Sequence, residues 1–128
     1  MSDLHGKTSL VTGSTKGIGR AVAAALVDSG SHVIVHGRDE AATAEVCAAL
    51  GAHAAVNGDL ATVGGTGQVL AQLGELNAVD VLVNNAGIFS VEDFFAIDDE
   101  EWLRYYQTNV LSAVRLCRAL LPGMLERN

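Results

Sequence analysis

Short valine-rich runs alternate along the chain with longer alanine- and leucine-rich stretches. The short runs are Ser9 to Thr12, His32 to His36, His53 to Asn57 and Val79 to Asn84. Each is strand length and bounded by glycine or polar residues, which predicts four β-strands. Between them, Gly17 to Ser29, Glu40 to Leu50 and Thr62 to Leu73 are long enough for helices, and Gly30, Gly51 and Gly74 follow as stop signals. In the first helix, Ile18, Val22, Ala25 and Leu26 fall on one side, the side expected to face a sheet. A last, longer helix is expected from Asp98 onward, with Trp102, Tyr105, Tyr106, Val110, Val114, Leu120 and Leu121 near helical spacing. Pro122 is expected to kink or end it.

Strand and helix therefore alternate over short connections. Parallel strands joined in this way need crossover helices on both faces, so the expected class is α/β, a doubly wound parallel sheet. The length of 128 residues fits one domain. No apolar run approaches the roughly 20 residues of a membrane-spanning helix. The formal charge of −7, without a basic cluster, disfavours nucleic acid, and the N-terminus lacks the pattern of an export signal, so a cytoplasmic protein is expected. Cys47 and Cys117 read as separate reduced thiols, while His5, His32, His36 and His53 are scattered and read as surface or loop histidines rather than metal ligands.

The densest chemical signal is the stretch Thr12, Gly13, Ser14, Thr15, Lys16, Gly17, Ile18 and Gly19, between the first strand and the first helix. Glycines there allow a tight turn, let backbone N–H groups approach a phosphate, and let a helix pack close to a strand. By itself the pattern also suits an ordinary strand-to-helix turn. The spacing GxxxGxG differs from GxxxxGK[ST], which argues against a nucleoside-triphosphate loop.

With Thr12 in front, that spacing resembles the short-chain dehydrogenase/reductase family. The leading Leu4 to Gly13, Asp59-Leu60 after the third strand, Asn84-Asn85-Ala86-Gly87 after the fourth, and Asn109 on the following helix repeat the resemblance in order. It implies a Rossmann-type sheet of order 3-2-1-4 that binds a nicotinamide dinucleotide through residues 12–19, Asp59, Leu60, Asn85, Ala86 and Gly87. Asn109 corresponds to the asparagine of the family's catalytic tetrad. Asp59, Asn84, Asn85 and Asn109 also have plainer readings as turn, loop or surface residues.

For cofactor choice, alignment to the family puts Gly37 where an NAD-selecting acid would stand, followed by Arg38, while Lys16 precedes the second glycine. Both cations suit a 2′-phosphate, so NADP(H) is expected in preference to NAD(H). Asp39 lies about 20 residues past the glycine turn, where an NAD-selecting acid is also looked for, and competes with a role as helix cap.

The resemblance implies hydride transfer between nicotinamide and a small carbonyl or alcohol substrate, and a homo-oligomer, dimer or tetramer, in the intact protein. The family's serine and YxxxK pair are absent: the lysines are Lys7 and Lys16, and Tyr105 and Tyr106 are followed four residues later by Asn109 and Val110. The expectation is therefore a single dinucleotide-binding domain over residues 1–128, truncated before a fifth strand and inactive alone. The competing expectation is a non-catalytic binding or sensor module. Phe89, Phe94 and Phe95 are candidates for a substrate wall or for core packing.

Overall fold

The computed structural model describes residues 3–128. Four parallel strands, β1 (Thr8–Val11), β2 (His32–Gly37), β3 (Ala54–Asn57) and β4 (Val81–Val83), form one sheet in the order β3-β2-β1-β4. The register pairs Leu10 with Ile34 and Leu82, and Ile34 with Ala54. The expected class and order are thus observed, with strand ends moved by one or two residues. All four strands point the same way, so Val11, Gly37, Asn57 and Val83 finish along one edge.

Successive strand residues face opposite sides, and the core divides accordingly. Leu10, Ile34 and Val56 meet Val69 and Leu73 of α3 (Val63–Leu73) and Leu116 of α5 (Ser112–Arg127). Val11, Val33 and Val35 meet Ala23 of α1 (Gly17–Asp28), with Val22, Leu26 and Val27 beside it and Cys47 and Leu50 of α2 (Glu40–Leu50). One buried polar pair interrupts this face: the Ser9 and Ser31 hydroxyls lie 2.7 Å apart, and Ser31 donates onward to the Lys7 carbonyl, so neither is left unpaired.

The buried side of α1 keeps Val22 and Leu26 of the expected face but not Ile18 and Ala25. Gly19 and Ala23 are the buried residues, whereas Ile18 is 78% exposed and Ala25 is exposed. The helix is rotated because Gly19, the residue without a side chain, must face the strand ends.

The long C-terminal helix is three segments: α4 (Asp99–Tyr106), a π-type turn (Gln107–Leu111) and α5. The Ser112 hydroxyl donates to the Thr108 carbonyl at 2.6 Å, competing for an acceptor at the widened turn. Pro122 does not end the helix, which continues to Arg127; it lies on an exposed side, where losing one N–H is tolerated. Arg115 donates to the Leu60 carbonyl and Arg127 to the Val79 carbonyl, fixing α5 at both ends of the sheet.

Leu10 is fully buried between β2 and β4. Leu10→Ala is therefore expected to lower unfolding free energy by about 2–5 kcal/mol in denaturant titration; a loss below about 1 kcal/mol would contradict this core assignment.

Candidate functional site

The carboxyl edge of a doubly wound sheet is where loops leave room for a ligand, and a cleft of about 460 Å³ opens there. Its walls bring together Gly13, Thr15, Lys16, Gly17, Ile18 and Gly19 of the first turn, Arg38 after β2, Asp59 and Leu60 after β3, and Asn85, Ala86 and Gly87 after β4. Thr12 and Ser14 are buried behind this lining. Residues separated by more than 70 positions thus converge.

Thr12 joins the two central strand ends. Its hydroxyl oxygen accepts the Asn85 and Ala86 N–H groups, each at 2.9 Å, and donates to the Val83 carbonyl at 3.4 Å. The Asn85 side-chain amide donates to the Thr12 and Gly13 carbonyls at 3.2 and 3.0 Å. Asn84 lies to one side, 3.5 Å from the Cys117 sulfur.

The three glycines serve different demands. Gly13 and Gly17 have φ of +60° and +59°, angles that L side chains rarely adopt. A Cβ at Gly13 would meet the Ala86 backbone at 2.9 Å, and one at Gly19 would come within 3.0 Å of the Gly13 carbonyl and the Asn85 amide. At Gly17 nothing lies within 4 Å of the added atom. Gly13 and Gly19 permit close packing, while Gly17 borders open space.

That space lies at the N-terminus of α1. The residues preceding α2, α3 and α4, namely Asp39, Thr62 and Asp98, each cap with a side chain, but Lys16 before α1 makes no such bond, and the first turn of α1 carries no acid. The leading N–H groups of α1 thus remain available to an anion, and the helix dipole favours one there.

Asp39 accepts from the Ala42 N–H at 2.8 Å as the cap of α2. Asp59 accepts from the Ala61 N–H at 3.0 Å, a local turn contact made from the cleft wall. Lys16 and Arg38 share the cleft, and among the described residues neither takes part in an ion pair. Asn109 sits in the π-type turn, and its amide holds the Ile88 backbone at two points, accepting from N–H at 2.7 Å and donating to C=O at 3.0 Å. A π-type turn is a frequent companion of functional sites.

Residues 7–128 match the family model described as short chain dehydrogenase. The chain belongs to the short-chain dehydrogenase family. It is 41% identical over 128 residues to an uncharacterised oxidoreductase of Bacillus subtilis, YvrD, covering 98% of this chain and 49% of that one. It is 36% identical over 129 residues to the 3-oxoacyl-(acyl-carrier-protein) reductase of Vibrio harveyi, covering 98% and 52%. The crystal structure of L-sorbose reductase from Gluconobacter frateurii, complexed with NADPH and L-sorbose, superposes with a TM-score of 0.90 at 35% identity, covering 98% and 51%. The chain thus spans about half the length of these relatives.

Two side-chain expectations are corrected. Phe89, Phe94 and Phe95 are 85%, 67% and 92% exposed, so they are not core residues; Phe94 instead meets Phe95 and Trp102 edge to face at the surface. His36 is no surface or loop residue: it lies in β2, 3% exposed, and lines the cleft. It shares a sheet face with Ile34, two positions before it.

Gly19→Ala forces a methyl against fixed backbone, whereas Gly17→Ala meets only an unfavourable φ costing about 1–2 kcal/mol. The expected order of melting temperatures is wild type, Gly17→Ala, then Gly19→Ala; equal stability of the two variants would contradict the packing role of Gly19.

Proposed function

We propose that this chain is the dinucleotide-binding portion of an NADP(H)-dependent oxidoreductase, whose intact form transfers hydride between the nicotinamide and a small carbonyl or alcohol substrate. The observation that carries the reading is the uncapped N-terminus of α1 opening beside Gly17 into the cleft. A pyrophosphate would accept from the leading backbone N–H groups of α1, residues 17–19, beside the open space at Gly17. Thr12, Gly13, Asn85, Ala86 and Gly87 give the floor its shape, and Asp59 and Leu60 border the adenine end.

Preference for NADP(H) is supported by two cations that make no ion pair among the described residues, Lys16 and Arg38, and by the capping bond that already engages Asp39. The guanidinium fork of Arg38 matches two phosphate oxygens, and Lys16 adds a mobile positive charge. The NADPH named for the sorbose reductase structure agrees with this choice. When bound, the nicotinamide supplies or accepts the hydride.

Asn109 acts as a positioning residue through Ile88, holding the segment that follows Gly87 at the nicotinamide end. A proton donor in the family pattern is not among residues 1–128, since neither tyrosine has a lysine four positions on. We therefore assign cofactor binding, and not turnover, to this chain by itself.

Fluorescence titration of the purified chain with NADPH and NADH tests the assignment. NADPH is expected to bind more tightly, and Arg38→Asp to weaken NADPH by about tenfold or more while changing NADH little, the scale of one charge-assisted bond. Absence of binding by both nucleotides would overturn the function, and an unchanged NADPH affinity in Arg38→Asp would overturn the role of Arg38.

A further inference from the structure

The imidazole of His36 is the one buried titratable group in the cleft wall that the reading above leaves unused. Its Nδ1 lies 3.0 Å from the Gly13 nitrogen, in geometry where Gly13 N–H donates to it. Its Nε2 lies 2.9 Å from the Gly58 carbonyl oxygen. A backbone N–H only donates and a carbonyl only accepts, so both bonds exist together in a single form: neutral imidazole, proton on Nε2, lone pair on Nδ1. The backbone of the same residue is held as well. Its N–H donates to the Ser14 hydroxyl at 2.9 Å, and its carbonyl accepts from the Ser14 N–H at 2.9 Å.

Gly13 begins the phosphate turn and Gly58 adjoins Asp59, so the ring spans from one wall of the cleft to the other. Gly58 cannot easily follow a displaced ring, because its N–H donates to Gly37 and the position of a Cβ there is occupied by the Gly65 carbonyl. A protonated ring keeps its bond to Gly58 but turns an N–H toward the Gly13 N–H. That second bond must then break.

We propose that His36 is a positioning residue for the dinucleotide cleft: in its neutral Nε2–H form it ties the glycine turn to the end of β3, and protonation releases the turn and weakens dinucleotide binding. This inference rests on the dinucleotide reading given above. The charged groups sharing the cleft are Lys16 in the turn, Arg38 beyond β2, Asp59 after β3 and Arg104 on α4. Burial pushes the His36 pKa below the usual histidine value of 6.5, opposed in part by the Gly58 carbonyl and by the charge of Asp59. The ring is therefore neutral at and above pH 7. The unfolded chain takes up the proton first, so this contribution to stability is full above 6.5 and is lost as pH falls from there toward the lower folded value.

The test is NADPH affinity from pH 8 to 5 in wild type and His36→Asn, with folding of both followed by circular dichroism. An asparagine oxygen can accept from Gly13 but cannot titrate. The 2′-phosphate of NADPH titrates near pH 6 and affects both proteins alike. The expected result is an additional loss in wild type alone, approaching about tenfold per pH unit below the folded His36 pKa. A long-range proton–nitrogen spectrum of wild type at pH 7.5 should show the His36 proton on Nε2. Superimposed pH profiles, or a proton on Nδ1 at pH 7.5, would overturn the proposal. No binding at any pH in either protein would remove the dinucleotide reading and this inference together, whereas binding with superimposed profiles removes this inference alone.

Discussion

The hydroxyl of Thr12 is the constraint from which the cleft takes its shape. Parallel strands are joined only by their ladder, and beyond Val11 and Val83 the ladder of β1 and β4 stops. One oxygen then gathers two N–H groups from the opposite chain end and returns its own proton to the Val83 carbonyl. With the Asn85 amide bridging back to Thr12 and Gly13, the ends of the two central strands form one unit. A valine of the same shape would leave those N–H groups without their side-chain acceptor, at a cost of about 1–3 kcal/mol for each one that stays buried and unpaired.

The remaining geometry follows from that closeness. Because the segment after β4 is drawn against the turn, Gly13 and Gly19 have no room for a Cβ, while Gly17 on the outer side faces a gap. The helix that starts in the turn leaves its first N–H groups uncapped and directed at the same gap. Ile88, two residues past Ala86, is then fixed from the far side by Asn109. The Asn85, Ala86 and Ile88 N–H groups are thereby paired, and the leading N–H groups of α1 are left open to the cleft.

What the sequence made legible was what local chemistry specifies. Valine runs between glycine stops located the four strands, and the glycine spacing located the turn, since both depend on neighbouring residues. On α1, Val22 and Leu26 pack inward as expected, but Ile18 and Ala25 were misread because apolar count favoured them, whereas tertiary closeness selected Gly19 and Ala23. The helix end expected as one outcome at Pro122 is not observed, because a missing N–H is cheap on an exposed helix side. His36 was hidden by its residue type: a histidine suggests a surface, but the partners that bury it, Gly13 and Gly58, are distant in sequence and contribute only backbone atoms. The capping of α2 by Asp39, by contrast, was readable from the adjacent helix start.

Amide hydrogen exchange on the wild-type chain tests the Thr12 tie most directly. The Ala86 N–H lies outside every strand and helix, and its partner is the Thr12 hydroxyl. If that tie holds the cleft, Ala86 exchanges as slowly as the β1 amides, opening only when the sheet opens. Exchange of Ala86 at the rate of an unprotected loop, with β1 still protected, would contradict the account.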